Sequence, residues 1–150
     1  MAVRTAYDAV AGAVLTAVNL DKLAGGWIGY NEVTADQANI SSADVTGLSV
    51  AVTVGTGRRI KVSAGVNLLK DANAGLCEIR IMEGATLLGF AYFIGGASTS
   101  GHGAPTVILT PTSGSHTYKI TIVCSITTLT VKAAATYPAF ILVEDMGATP

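Results

Sequence analysis

At 150 residues the chain has room for one domain with a real core. Half of its residues are hydrophobic and only 13% are charged, against about 25% in an ordinary soluble domain. Nine Lys and Arg against ten Asp and Glu leave a formal net charge of −1, the charges scattered singly except at residues 58–61, unlike the basic stripe usual in a nucleic-acid binder, and no run approaches the roughly 20 apolar residues of a membrane-crossing helix. The expectation is therefore a chain without nucleic-acid partners or membrane insertion. Its charges are too few to wrap its surface, so either partners cover much of it or it is rich in Thr, Ser, Gly and Ala; the sequence suggests both.

The first 26 residues differ from the rest. Residues 1–12 read as an extended arm. Arg4 is followed by Asp8 without a long apolar run, so no secretory leader is expected and synthesis is placed in the cytoplasm. Residues 13–23 have helical spacing, with Val14, Leu15, Val18 and Leu23 on one stripe, Thr16 as a cap and Gly25-Gly26 as the stop. So short a helix is unstable alone and must dock on its own sandwich or on a neighbour. Residues 1–26 are read as an attachment segment and 27–150 as the body.

From Trp27 onward, apolar and polar residues alternate. Leu48, Val50, Val52 and Val54 share one face, as do Ile60, Val62, Ala64 and Val66. Val, Ile and Thr suit a pleated surface because two heavy atoms on Cβ restrict χ1. Turn signals at Gly55-Thr56-Gly57, Asp71–Gly75, Glu83-Gly84 and Ser113-Gly114-Ser115 divide the runs. The pattern predicts about eight or nine strands, at 27–35, 46–54, 58–69, 76–83, 86–94, 105–111, 116–125, 128–136 and 139–145. The expected fold is all-β, an antiparallel β-sandwich of jelly-roll type with a short N-terminal arm and helix.

Within this grammar Arg58-Arg59-Ile60-Lys61 is the only charge cluster, read as a solvated strand face or as edge protection. Cys77 and Cys124 lack metal-type spacing and read as small core hydrophobes. A disulfide between them requires neighbouring strands and an oxidising compartment. Phe90 and Tyr92 face one way and Phe93 the other, so this strand is apolar on both faces and is central or covered by another subunit. An aromatic platform for carbohydrate is the alternative. The Gly/Ser-rich break over residues 95–105, with Ser98, Ser100 and His102, is the candidate recognition loop, a plain connection being the other reading.

Catalytic patterns are sparse. His102 and His116 stand in a loop and at a strand start, and a metal site would need a carboxylate or symmetry mates beside them. Glu144 and Asp145 are adjacent and point to opposite faces of a strand, a poor geometry for paired acid and base. No nucleophile elbow and no phosphate-binding loop occurs. No enzyme, cofactor or metal is expected.

Several stretches carry a resemblance. Residues 11–20, Ala-Gly-Ala-Val-Leu-Thr-Ala-Val-Asn-Leu, are similar to the G-x-x-L-T-A-x-x-L-N opening of phage tail-fibre and appendage proteins, with Asp21 in place of the final Asn. Gly25–Tyr30, Gly47–Val54, Gly57–Val62, Gly114–Lys119 and Ile141–Gly147 follow in order. The set resembles small virion proteins of tailed phages of actinobacteria, in the minor tail or head-decoration family. That resemblance implies a β-sandwich virion subunit, often trimeric, and brings no catalytic residues.

The functional expectation is an accessory virion subunit, a minor tail or fibre-like component synthesised in the host cytoplasm and assembling as a homotrimer on the particle. Expected assembly contacts are Val14, Leu15, Val18, Leu23, Trp27, Phe90, Tyr92 and Phe93, and the expected partners are further copies and other tail or capsid proteins. The alternatives are a capsid decoration protein cementing capsomers and a carbohydrate-binding module attaching to host surface glycans.

Overall fold

The computed structural model describes residues 26–70, 75–95, 98–125 and 128–148. The expected N-terminal helix, and with it Val14, Leu15, Val18 and Leu23, lies outside the described residues. Among the described residues, eleven strands follow in chain order. They are β1 (Gly26–Val33), β2 (Gln37–Ile40), β3 (Ser42–Val54), β4 (Arg58–Lys70), β5 (Gly75–Glu83), β6 (Thr86–Gly95), β7 (Ser100–Gly103), β8 (Thr106–Leu109), β9 (Gly114–Cys124), β10 (Leu129–Lys132) and β11 (Ala139–Ala148).

They form two antiparallel sheets. One runs β3-β9-β5-β6; the other runs β1-β11-β4-β10-β2, with β7 and β8 also paired to β4. Strand β4 is long enough to hold two partners along each half: β11 and β8 flank its first half, β10 and β7 its second. Face to face, β1 and β11 lie over β3, while β7 and β8 lie over β6. The chain is thus an antiparallel β-sandwich, and β1 and β6 stand at opposite edges of it.

The core is what alternation demands. Leu48, Val50, Val52 and Val54 of β3, Ile60, Val62 and Val66 of β4, Ile79 and Ile81 of β5, Ile120 and Ile122 of β9, and Ile141 and Val143 of β11 are buried between the sheets. Each fully buried aliphatic side chain stabilises the fold by about 1.5–3 kcal/mol relative to exposure. Cys77 and Cys124 occupy paired positions on β5 and β9 and are joined by a disulfide across 47 residues of sequence. Of the two readings open at the cysteines, the neighbouring-strand one holds, and the bridge sits among the core side chains.

Two expectations change. Residues 100–103 are strand β7 on the second half of β4, not a flexible loop. Their glycines serve packing: a Cβ on Gly101 would meet the Phe93 ring at 2.3 Å, and one on Gly103 would meet Ile79 Cδ1 at 2.6 Å. Glycine here makes room for large side chains of the opposite sheet. Second, the basic cluster is split by strand alternation. Arg58 shares the inward parity of Ile60 and Val62 and is only 9% exposed, whereas Lys61 points outward.

Candidate assembly surface

On the outer face of the larger sheet, β1 and β11 raise an aromatic row. The Trp27 and Tyr30 rings stack at 5.9 Å with an interplanar angle of 17°, and Tyr30 stacks on Phe140 at 6.2 Å and 26°. The register explains the row. Tyr30 pairs with Leu142 and Glu32 with Phe140, so Tyr30 and Phe140 are diagonal neighbours across two strands. Phe140 in turn pairs with Gly65 of β4, and a Cβ there would lie 2.5 Å from its ring. The missing side chain lets the phenyl ring lie across β4.

The row is open at one end. Trp27 is 68% exposed and Tyr30 44%. Polar groups border it: Tyr30 donates its hydroxyl hydrogen to Glu32, whose carboxylate pushes the phenol pKa up. Glu144, the register partner of Trp27, is ion-paired to Lys61 at 2.5 Å. Lys61 pairs with Ile108 of β8, which is half exposed, so apolar surface continues across this sheet.

A second apolar strip lies on β6, the edge strand of the smaller sheet. Phe90 and Tyr92 meet edge to face at 5.0 Å, with an interplanar angle of 70°. Both are about half exposed and Ile94 is 76% exposed, with Leu87 exposed as well. Their cross-strand neighbours on β5 are Arg80, opposite Phe90, and Glu78, opposite Tyr92, and these two are ion-paired to each other at 2.6 Å. Phe93 faces inward against Gly101 and is buried, which removes it from the expected contact set. Lys70 lies over its ring at 5.4 Å and donates to the Gly75 carbonyl, closing that end of the core.

Other polar side chains pair with one another across the sheets. Arg58 Nε donates to both oxygens of Asp145 at 3.1 and 3.0 Å, and Asp145 also accepts from the Gly147 amide at 2.8 Å. Glu144 and Asp145 thus serve opposite faces. His102 and Ser100 are exposed on β7, His102 Nδ1 lying 3.0 Å from Asn67 Oδ1. Ser98 is exposed at φ 54°, on the short approach to that strand. The three residues expected to form a recognition loop therefore sit on and beside a sheet strand.

His116 Nδ1 is 2.7 Å from Glu83, Nε2 is 2.9 Å from the Thr112 carbonyl oxygen, and the ring stacks on Tyr118 at 6.1 Å. Among the described residues, no three His, Cys, Asp or Glu side chains gather as a metal site would require. A depression of about 440 Å³ between β2 and β3 is lined by Gln37, Ala38, Ile40, Ala43, Asp44 and Thr46. Its polar groups are engaged: Gln37 bridges the Thr46 backbone, and Asp44 accepts from Lys119 and Thr121, which hold its carboxyl below the usual range.

Sequence reasoning singled out Trp27, Phe90 and Tyr92, and the structure leaves all three exposed. It missed Tyr30, Phe140, Ile94 and Ile108 as surface residues. The signal was present for Phe140, which alternates with Ala139 and Ile141, both buried.

No family model and no curated protein matches the chain. Among solved structures it is similar to the Eiger TNF of S. frugiperda, at 10% identity, a TM-score of 0.54, and coverage of 83% of this chain and 96% of that one. At that identity the likeness concerns the fold alone.

Proposed function

We propose that the chain is a structural subunit of a tailed-phage particle, an accessory component of minor-tail or fibre type that assembles as a homotrimer. The observation that carries the reading is the apolar strip on an edge strand: Phe90, Tyr92, Ile94 and Leu87 lie in water on β6. A long apolar edge is an aggregation hazard unless something covers it. Covering it with an identical copy, in an arrangement that closes on itself, hides the strip and limits growth. The two antiparallel sheets are compatible with a jelly roll, a framework suited to presenting such edges.

The phage part of the reading rests on the ordered motifs from residue 11 to Gly147. The buried disulfide is compatible with a particle that works outside the reducing cytoplasm. The test is co-sedimentation: particles from cells expressing an epitope-tagged chain carry the tag through a density gradient, and labelling places it on tail or head. A head label moves the reading to capsid decoration. Tag remaining wholly in the soluble fraction refutes a virion role.

A second reading is favoured by the aromatic row. Trp27, exposed at the end of a ring stack and bordered by Glu144 and Lys61, offers an apolar face beside hydrogen-bonding groups, as sugar-stacking surfaces do. The same subunit would then attach to host surface glycans. A glycan array tests this, and binding that survives Trp27→Ala removes it.

A further inference from the structure

Two cations of the basic cluster at residues 58–61 are neutralised where they stand. Arg58 turns inward to Asp145, and Lys61 holds Glu144 on the outer face of the larger sheet. Arg59 differs. It shares the outward parity of Lys61 and Ser63 and is partly buried. Among the described residues it has no ion-pair or hydrogen-bond partner.

The register places this guanidinium near the open end of the aromatic row. Trp27 pairs with Glu144 and Glu144 with Lys61, while Arg59, two residues earlier on the same face of β4, pairs with Gly147. Gly147 raises no side chain beside it. Met146, the extra residue of the β11 bulge, adds exposed apolar surface at the same place. Two strand spacings across and two residues along separate the Arg59 and Trp27 backbones, about 12 Å. An arginine and an indole can close on one sugar ring across that gap.

The neighbouring carboxylates do not cancel the charge. Glu144 is neutralised by Lys61 and Asp145 by Arg58. Glu32 lies at the other end of the row, opposite Phe140, and accepts from Tyr30. One uncommitted positive charge therefore stands beside an exposed indole. A guanidinium takes a carboxylate with two parallel hydrogen bonds, and an aromatic face takes the apolar face of a pyranose.

We infer that the sugar received at Trp27 is acidic, a pyranose whose carboxylate is held by Arg59 while its ring stacks on the indole. This rests on the glycan reading above and names its ligand class.

The probes are a glucuronic-acid oligosaccharide and a sialylated lactose, each beside its own methyl ester, which removes the charge and little else. The full chain should bind at least one acid about tenfold or more tighter than its ester, a margin that shrinks in high salt. Arg59→Gln should bind acid and ester alike, at the affinity of the wild-type chain for the ester. Arg59→Lys, which keeps the charge without the fork, should fall between. Trp27→Ala should weaken acid and ester together. Near-ultraviolet circular dichroism shows that the body remains folded in each variant.

Acid and ester bound equally through Trp27 overturn the acidic assignment and leave the glycan reading intact. A preference for the acid that persists in Arg59→Gln also overturns it, since another cation then holds the carboxylate. So does a sulfated sugar bound in place of every carboxylated one. Absence of all sugar binding, neutral sugars included, overturns both.

Discussion

A Cβ placed on Gly101 would come within 2.3 Å of a Phe93 ring carbon and within 3.0 Å of a second. The contact joins β7 of one sheet to β6 of the other, so the ring fills the volume a side chain would need. Gly101→Ala should therefore destabilise the body by about 1–3 kcal/mol, the usual cost of overpacking. Gly103→Ala should cost less, because its nearest neighbour is the mobile Cδ1 end of Ile79. Urea denaturation of the two variants checks both size and order. Equal stability of Gly101→Ala and wild type would show that residues 100–103 are not packed as a strand.

The disulfide between Cys77 and Cys124 should be worth about 4 kcal/mol if its effect is mainly to restrict the unfolded chain over its 47-residue separation. C77A/C124A should unfold at correspondingly lower denaturant. Cys77 is fully buried and Cys124 nearly so, which shields the bridge in the folded state. A thiol reagent added to the denatured, unreduced protein should find no free thiol at either position. Two titratable thiols under those conditions would disprove the bridge.

His116 supplies a pH dependence with a definite sign. The hydrogen bond to Glu83 first, then the one to the Thr112 carbonyl, raise its pKa above the ordinary value of 6.5. Both partners accept, so a ring carrying both N–H groups satisfies both. Because the folded pKa is the higher one, this contribution is complete below about pH 6.5, the unfolded value. It fades as pH rises through the folded pKa. The stability gap between wild type and His116→Gln should accordingly be widest near pH 6 and narrow in alkali. A gap that widens with pH would contradict this. Proton NMR of the ring should give the raised pKa directly.

Tyr118 is fully buried, and its hydroxyl has no hydrogen-bond partner among the described residues. Burial first, and the nearby Glu83 charge second, push its pKa up to about 12. An unsatisfied buried hydroxyl opposes folding. Tyr118→Phe should therefore match wild type or exceed it by up to about 1 kcal/mol. The same substitution should remove one phenol that resists ionisation in an ultraviolet pH titration. A loss of stability would mean that the hydroxyl has a partner.

The alternation that predicts β3, β4, β5, β9 and β11 was legible because both sheets bury one face of each strand. Lost in the sequence were features set by distant partners. Gly101 and Gly103 read as a loop because the signal for a flexible turn and the signal for a close sheet contact are the same residue. Nothing local shows that Phe93 and Ile79 claim their Cβ space. The cysteines could not be paired, because β5 and β9 become neighbours only through the crossing between sheets. Arg58 was misjudged by proximity: it belongs with Ile60 and Val62 by strand parity, not with Lys61 by charge. At the surface, Trp27, Phe90 and Tyr92 could be found by residue type. Finding Ile94 and Ile108 required knowing that their strands present one face to water.

The account turns on whether the apolar β6 strip is covered by further copies of the chain. Light scattering coupled to size exclusion at micromolar concentration measures this. It should give three times the 15.2 kDa mass of one chain, falling to a single chain in F90S/Y92S with circular dichroism unchanged. A wild-type protein that elutes as a soluble monomer of one chain mass would contradict it.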